Sequence, residues 1–522
     1  MPGIHGNTQV PKLVGSAARY AFAQDPQDII AASFFWDRVV QHHSFATGGH
    51  GRNEYFGQPD EHNDRIDGRT AESCNIYNML KLTRRLFALR PDAHYAEFHE
   101  RALLNRVLSS IDPQDGRTCY MVPVGRGVRR EYSDMLQSFT CCVGTGMESH
   151  ALHADGIYYE SSGNRLWVNL YAPSTAKWES AGAAITMETD LPIGDSATLS
   201  LKLEEPKSFT LALRRPKWAG EGYEVHVNDK PITDLPAPGS YVEVERTWKT
   251  GDTVTLALPK QLHLEPLPDN PRRTAILWGP LVLAGDLGPE DQKLLARDEI
   301  TGLWKVPVFV AAERPVADWL KPIDGKPGHF RTDGVGRDQD VEFAPFYRLH
   351  RRMYGVYWDL FTPAEWKKEE AAYAAKQQER QKLEAATVAH IQPGEMQPER
   401  DFNYQAAEGA HIVRLQGQPG RRSAAWFSFD VPVDPSQPMT LVVTRNHDEW
   451  RRRTFDILID GELLKSVTME RRGPLRFFDT EYAIPATMLK DKQRVTVRFE
   501  ATDGNETAAI YGIRMIRTNS ER

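Results

Sequence analysis

The sequence predicts a multidomain protein: a helical first third followed by β-sandwich modules. Three observations predict the change of class along the chain. Apolar residues recur at helical spacing up to about residue 156. From Ile157 the period becomes two. At 522 residues the chain is too long for one core, so several domains are needed.

Each element has its own signal. Asp25-Pro26 pairs a capping carboxylate with proline at the first helical position, and opens the helix "QDIIAASFFWDRVVQHH". That helix is apolar around most of its circumference, which predicts burial on all sides. A second helix is predicted from about Thr70, its plausible cap, to Arg90, on the stripe Ile76, Met79, Leu80, Thr83, Leu86 and Phe87. Pro91 ends it. Asp92 starts a third, with Leu103, Leu104, Val107, Leu108 and Ile111 on one stripe, ending before Pro113. A shorter helix is predicted after "CCVGTG".

In the β region, Leu166, Val168 and Leu170 alternate with polar and aromatic neighbours, and Leu199, Leu201 and Leu203 do the same. Turn signals such as "VNDK" and "KTGD" separate the runs, and the pattern reads as an antiparallel sandwich. Thr362-Pro363-Ala364-Glu365 is a capping box with proline at the first helical position. It opens a charged helix to roughly His390, read as a solvated strut. "IQPGEMQPERD" reads as a linker. "TFDILIDGELL" then gives strand, Asp460-Gly461 turn and strand, and "RVTVRFE" alternates. The expected domains are 1–156 (helical), 157–361 (β-sandwich), 362–400 (charged helix and linker) and 401–522 (a second β-sandwich).

Composition excludes several functions. The net charge is -7 and spread out, which argues against nucleic-acid binding. No apolar run approaches the ~20 residues of a membrane span, so no membrane partner is expected. "MPGIHGNTQVPKLVG" lacks the basic start and apolar core of a signal peptide, and no compartment is assigned. Four cysteines do not make a disulfide scaffold. "GNET" at Asn505 fits a glycosylation sequon only weakly. Gly144 and Gly146 are no phosphate loop, since no Gly-Lys-Ser/Thr follows.

Two of the four cysteines are adjacent, Cys141 and Cys142 in "SFTCCVGTGMESH". Neighbouring cysteines rarely bond to each other, because the ring is strained. Two buried apolar thiols are the plain alternative. Yet the pair leads into a helix, whose N-terminus favours thiolate, and two adjacent thiolates repel unless a cation holds them. "RTAESCNIYNMLKL" adds Glu72 and Cys74 at another helix start. Cys74 shares a face with polar Asn78, so that face is expected to look towards water. Glu72, Cys74, Cys141 and Cys142 would supply one carboxylate and three thiolates, a tetrahedral set suited to zinc. Cys119 is read as structural.

At this point the chain resembles the β-L-arabinofuranosidases of glycoside hydrolase families 127 and 146. The matching segments include "ATGGHGRNEYFG", "AESCNIYNMLKLTRRLF", "YAEFHERALLNRVLSSIDPQDGRTCYMVP", "SFTCCVGTGME" and "LWVNLYAPS". The resemblance implies a catalytic (α/α)6 barrel followed by β-sandwich modules, with a carbohydrate substrate. It implies zinc on Glu72, Cys74, Cys141 and Cys142, with Cys141 also the nucleophile and Glu54 the general acid/base. It places Tyr120 and His5 near the sugar. The chemistry is coherent: retaining hydrolysis needs an acid and a nucleophile, and a zinc-held thiol stays deprotonated.

The resemblance starts part-way into the family's catalytic domain, at "GNTQVPKLVGSAARY". The expectation is therefore the C-terminal part of a barrel, with exposed inner helix faces that favour association. Two other functions fit the sequence. One is a zinc-free glycosidase or lyase that pairs Glu54 with Glu131 or Glu148. The other is an inactive, truncated sugar-binding protein.

Overall fold

The computed structural model describes residues 1–134, 136–162, 164–289, 306–337, 339–415, 418–446, 452–469, 477–502 and 504–518. The chain divides into two compact units, one formed by residues 4–290 and 304–368, the other by 369–522 with the first three residues and 291–303.

The first unit opens with helices α1 (Gly6–Ala23), α2 (Pro26–His42), α3 (Ser73–Leu89) and α4 (Ala93–Ala102), and a later α5 (Cys141–Ala151). The first of these has no counterpart in the sequence reading. Pro11 lies inside it, and Gly6 and Gly15 dilute its helical signal. The expected caps hold at Asp25 and Asp92, whose carboxylates accept from Gln27 N and His94 N at 3.0 and 3.1 Å. Thr70, by contrast, is not the cap of α3. Glu72 occupies that position, and the Thr70 hydroxyl instead joins Asp67 O and Val124 N.

The helix α2 is buried on one side only. Ala32, Phe35, Trp36 and Val39 face the core, whereas Ile30 and Phe34 are 64% and 66% exposed. An apolar circumference shows what a helix can bury, not what its neighbours cover. The stripe expected beyond α4 also differs. Regular α-helix ends at Ala102 and a π-helical turn runs over Leu103–Val107. Wider winding shifts the inward face by about one position. Asn105, Arg106 and Val107 are buried, and Leu103, Leu104 and Leu108 are only partly covered.

The period-two region begins at Tyr158–Ser161. Two sheets pack face to face over residues 158–257. One runs in the order Ser240–Trp248, Lys207–Arg215, Arg165–Val168, Tyr158–Ser161. The other runs Ser174–Trp178, Ala183–Thr189, Ser196–Leu203, Thr253–Ala257, Glu224–Val227, Lys230–Pro231. The alternating residues Leu166, Val168, Leu199, Leu201 and Leu203 all enter the shared core, as their spacing predicts. The pairing is not wholly antiparallel, since Arg165–Val168 runs parallel to its neighbour Lys207–Arg215. Residues 262–361 build a further, eleven-stranded sheet. One of its strands, Arg126–Val128, comes from the helical region. Cys119 lies in the core between the two, fully buried, where burial pushes its thiol up to about 12. It is structural, as its sequence context suggests.

Thr362 opens helix α6 (Pro363–Ala386) with the reciprocal bonds of a capping box. Thr362 N donates to Glu365 Oε2 at 2.8 Å and Glu365 N donates to Thr362 Oγ1 at 3.1 Å. The helix stops four residues short of the expected His390, which belongs to strand Thr387–Ile391.

In the second unit, four strands (Thr387–Ile391, Gly512–Arg517, Met439–Asn446, Phe477–Ile484) and five strands (Gln405–Ala406, Trp426–Pro432, Arg494–Ala501, Arg453–Ile459, Glu462–Met469) form two sheets around one core. The expected hairpin is present, with Asp460 and Gly461 at φ 50° and 84° in its turn. The stretch read as a linker is part of this unit. It carries helix α7 (Met396–Asp401), whose buried Glu399 receives two bonds of 2.6 Å from Arg421. Proline and glycine mark a turn here, not a free segment.

Candidate active site and metal centre

Three short stretches carry the site. The first is the loop before Glu54. Asn53 and Glu54 both sit in the left-handed region, at φ 46° and 73°, which costs on the order of 1 kcal/mol each for residues with a Cβ. Fixed bonds hold the loop there: Glu54 O accepts from Gly6 N at 2.7 Å, and Asn53 N donates to Arg69 O at 2.8 Å. The Glu54 side chain is 1% exposed.

Two donors meet the buried Glu54 carboxylate. His5 Nε2 lies 2.5 Å from Oε2, and the Tyr120 hydroxyl donates to Oε1. The histidine tautomer follows from the fold. His5 caps α1, and its Nδ1 accepts from Thr8 N at 3.2 Å, so that nitrogen carries no proton. The proton is therefore on Nε2 and points at Glu54.

The second stretch is the turn into α3. Ala71 is also left-handed, at φ 60°. It delivers Glu72 to the N-cap position and Cys74 to the first turn. The third is α5, which starts at Cys141 itself, not after the glycines as the sequence suggests. The two cysteines are its first two residues, where backbone N–H groups favour a thiolate. Gly144 and Gly146 fall inside this helix, and Gly146 lets Thr118 approach closely.

These stretches converge. One ligand atom each from Glu72, Cys74, Cys141 and Cys142 lies within 4.8 Å of every other. Cys74 Sγ is 3.4 Å from Cys142 Sγ, and Cys142 Sγ is 4.0 Å from Cys141 Sγ and 3.6 Å from Glu72 Oε1. Tetrahedral thiolates at about 2.3 Å from zinc stand about 3.8 Å apart, so the observed spacings suit such an ion. The face of α3 bearing Cys74 does not look into water, as Asn78 had suggested. Cys74 is buried against α5, and Asn78 bonds across to Asn7 of α1 at 2.7 Å.

The electrostatics of the cluster suit a cation. Burial, with the nearby charges of Glu54 and Cys141, raises the Glu72 carboxyl to about 8. Its Oε2 is buried without a hydrogen-bond partner. The Cys142 and Cys74 thiols lower Cys141 far below the ordinary thiol range against burial, and the Tyr120 hydroxyl adds to this. Cys74 and Cys142 are raised in turn, chiefly by their bonds to Cys141. Three thiols and a carboxyl this close together suit a cation, which would take the place of their protons.

Tyr120 thus touches both halves of the site, Glu54 and Cys141. The two other carboxylates weighed from sequence are engaged elsewhere. Glu131 is exposed and pairs with Arg129 at 3.3 Å, and exposed Glu148 accepts from the Tyr77 hydroxyl. Sequence reading missed three residues. Asn75 is buried, with neither side-chain polar atom bonded, and abuts Gly6 and Gly51. It stands next to Cys74 in the E-S-C-N motif, which was its only signal. His50 is buried with neither ring nitrogen bonded, stacks on Phe56 at 5.2 Å, and is lowered to about 3 by burial. Thr145 places its hydroxyl 3.1 Å from Cys74 Sγ.

A helical domain that sets a glutamate with two hydrogen-bond donors beside a thiol–carboxylate cluster able to hold a metal ion, with β modules behind it, defines a narrow class of protein. Residues 1–155 match the family model for the β-L-arabinofuranosidase GH127 catalytic domain, and residues 165–260 match that for the GH127 middle domain. The chain thus carries a catalytic and a middle domain of the GH127 type over residues 1–155 and 165–260. Residues 263–360 and 382–516 match two domain families of unknown function. Among solved structures, the chain is similar to a GH127 β-L-arabinofuranosidase from Geobacillus stearothermophilus T6. That match has 23% identity and a TM-score of 0.53, covering 68% of this chain and 60% of that one. A second GH127 β-arabinofuranosidase matches at 22% identity and TM-score 0.53, with the same coverage. A third, titled glycoside hydrolase, matches at 20% and TM-score 0.53, covering 68% of this chain and 66% of that one. These likenesses establish the shared fold. The chain spans less than two thirds of the length of these structures. Among curated proteins nothing matches.

Proposed function

We propose that the chain is a retaining glycoside hydrolase acting on β-L-arabinofuranosides of arabinose-containing glycans, with Cys141 as nucleophile and Glu54 as acid/base. The observation that carries the proposal is the juxtaposition of three thiols and a carboxylate within 4.8 Å, joined to Glu54 through Tyr120. Glu72, Cys74, Cys141 and Cys142 would hold zinc. When bound, zinc would keep the thiols deprotonated and offset part of their charge.

In the first step, protonated Glu54 gives its proton to the glycosidic oxygen while Cys141 Sγ attacks the anomeric carbon. The C–O bond breaks, a C–S bond forms and the aglycone leaves as an alcohol. In the second, Glu54 takes a proton from water as its oxygen attacks the anomeric carbon. The C–S bond breaks and the thiolate returns. As Glu54 loses its proton it becomes a carboxylate facing two donors, so His5 Nε2–H and Tyr120 O–H strengthen towards the transition state. When Glu54 is protonated, its hydroxyl oxygen is a poorer acceptor, so one of the two donors is free to turn away. His5 is fixed by its capping bond to Thr8, so the mobile one is Tyr120, whose hydroxyl has Cys141 as a second partner.

The test is hydrolysis of an aryl β-L-arabinofuranoside with metal analysis of the same sample. Glu54→Gln should abolish turnover and leave the zinc content at about one per chain. A Glu54→Gln variant as active as the parent would reject the assignment.

A further inference from the structure

We infer that Arg106 is a positioning residue for the metal site, holding Glu72 and Cys74 at their bonding positions through the backbone of the strained turn between Gly51 and α3. The inference rests on the zinc assignment above and names a residue outside the ligand set.

Arg106 is 1% exposed, on the π-helical turn Leu103–Val107. Such turns commonly mark functional positions, because the widened winding turns inward a residue that α-helix would leave outside. Its guanidinium does not pair with a carboxylate. Nε and Nη2 donate to Ala71 O at 3.0 and 2.5 Å, and Nη2 donates to Ser73 Oγ at 2.9 Å. Those acceptors flank Glu72 on either side.

The grip extends beyond one residue. The Ser73 hydroxyl donates to Cys119 O at 2.6 Å, and Ser73 N donates to Tyr120 O at 2.9 Å. Ala71 O also accepts from Val122 N, and Ala71 N donates to Gly51 O. Arg106 therefore pins the point where the Glu72 turn, the Tyr120 segment and the Glu54 loop meet. Ala71 is left-handed, so the turn needs such restraint: a non-glycine residue persists there only when its surroundings over-determine it.

Charge adds a second reason. Three thiolates and a carboxylate around a divalent ion leave a net charge of about -2 in a buried site. Arg106 is the guanidinium that faces it. Burial lowers it to about 10, opposed by Cys119, Cys142 and Glu72, so it is charged at neutral pH. A planar fork suits two acceptors at once, which a lysine ammonium cannot reproduce.

The experiment compares Arg106→Lys, Arg106→Met and Ser73→Ala with the parent 522-residue chain. Zinc affinity is read by chelator competition, and site geometry by the visible spectrum of the cobalt-substituted protein, both on material whose far-ultraviolet circular dichroism matches the parent. Partners of ligand residues are commonly worth 10–100-fold in metal affinity. Arg106→Met should lose about that much, with weakened and shifted cobalt bands. Arg106→Lys should recover part of the affinity but not the parent spectrum. Ser73→Ala, which buries no new charge and is the variant to rely on if the arginine variants fail to fold, should shift the spectrum with a smaller loss. Parental affinity and spectrum in the folded variants, whatever their thermal stability, would reduce Arg106 to a packing residue and overturn the inference alone. A parent chain that binds neither zinc nor cobalt would overturn the metal assignment and the inference together.

Discussion

Replacing Tyr120 with phenylalanine removes one oxygen and leaves the ring. The structure says what that oxygen does: it donates to Glu54 Oε1, and it also helps to lower the Cys141 thiol. Glu54 is buried, so the missing donor is not replaced by bulk water. A hydrogen bond to a charged group is worth about 1.5–3 kcal/mol. Glu54 acquires its charge as the proton leaves for the glycosidic oxygen, so the loss falls on the transition state. That corresponds to a fall of about 10- to 100-fold in kcat, with KM little changed. The assay is steady-state hydrolysis of an aryl β-L-arabinofuranoside across a range of concentrations. His5 supplies an internal control, because it has two jobs. His5→Asn keeps a good N-cap for α1 but gives up the donor to Glu54, so kcat should fall with thermal stability held, whereas His5→Ala should lose both. The two donors share one carboxylate, so Tyr120→Phe and His5→Asn should combine non-additively. A Tyr120→Phe enzyme with parental kcat, or one impaired only in KM, would show that the hydroxyl serves the sugar and not the acid/base.

Three further outcomes follow from the same geometry. The purified chain should carry about one zinc, and Cys74→Ser should lower its occupancy and destabilise the helical region; protein made without chelator that holds no zinc and ignores added zinc would refute the site. A cysteine-directed, mechanism-based arabinofuranoside should label Cys141, and peptide mapping that puts the adduct on a carboxylate instead would favour ordinary glycosidase chemistry. The third concerns acid stability. Burial lowers His99 to about 3 from an ordinary 6.5, so the unfolded chain binds a proton in that interval and the folded chain does not. Stability should therefore fall as pH drops from 6.5 towards 3, and His99→Phe should make that fall shallower in chemical denaturation.

The cluster of Glu72, Cys74, Cys141 and Cys142 was legible because its residues carry their chemistry in their names. Cysteines are few here, and adjacent thiols raise an electrostatic problem that a cation solves. Glu54 was singled out only through resemblance, since nothing local distinguishes it from a surface glutamate; its burial between His5 and Tyr120 shows only in the structure. Arg106 was not legible at all. Its neighbours Leu104 and Leu108 fit a helical stripe, and the one-residue slip of the π turn that buries the arginine leaves no mark in composition. The start of α5 was misplaced because glycines usually end helices, whereas here they lie within one, Gly146 against Thr118. The capping box at Thr362 was read correctly because its bonds are local, formed within four residues. Elements fixed by neighbours in sequence were read well; faces fixed by neighbours in space, such as the outer side of α2, were not.

The left-handed residues of the site have a consequence for anyone improving this protein by selection. At Ala71, glycine would relieve backbone strain in the folded chain, yet it would also enlarge the freedom of the unfolded one. The two effects are of similar size, so Ala71→Gly would pass a thermal screen as silent. What it would change is the sharpness with which Glu72 is aimed. A library sorted for robustness alone would accumulate such glycines unnoticed, and the catalyst would blunt while its melting curve stayed the same.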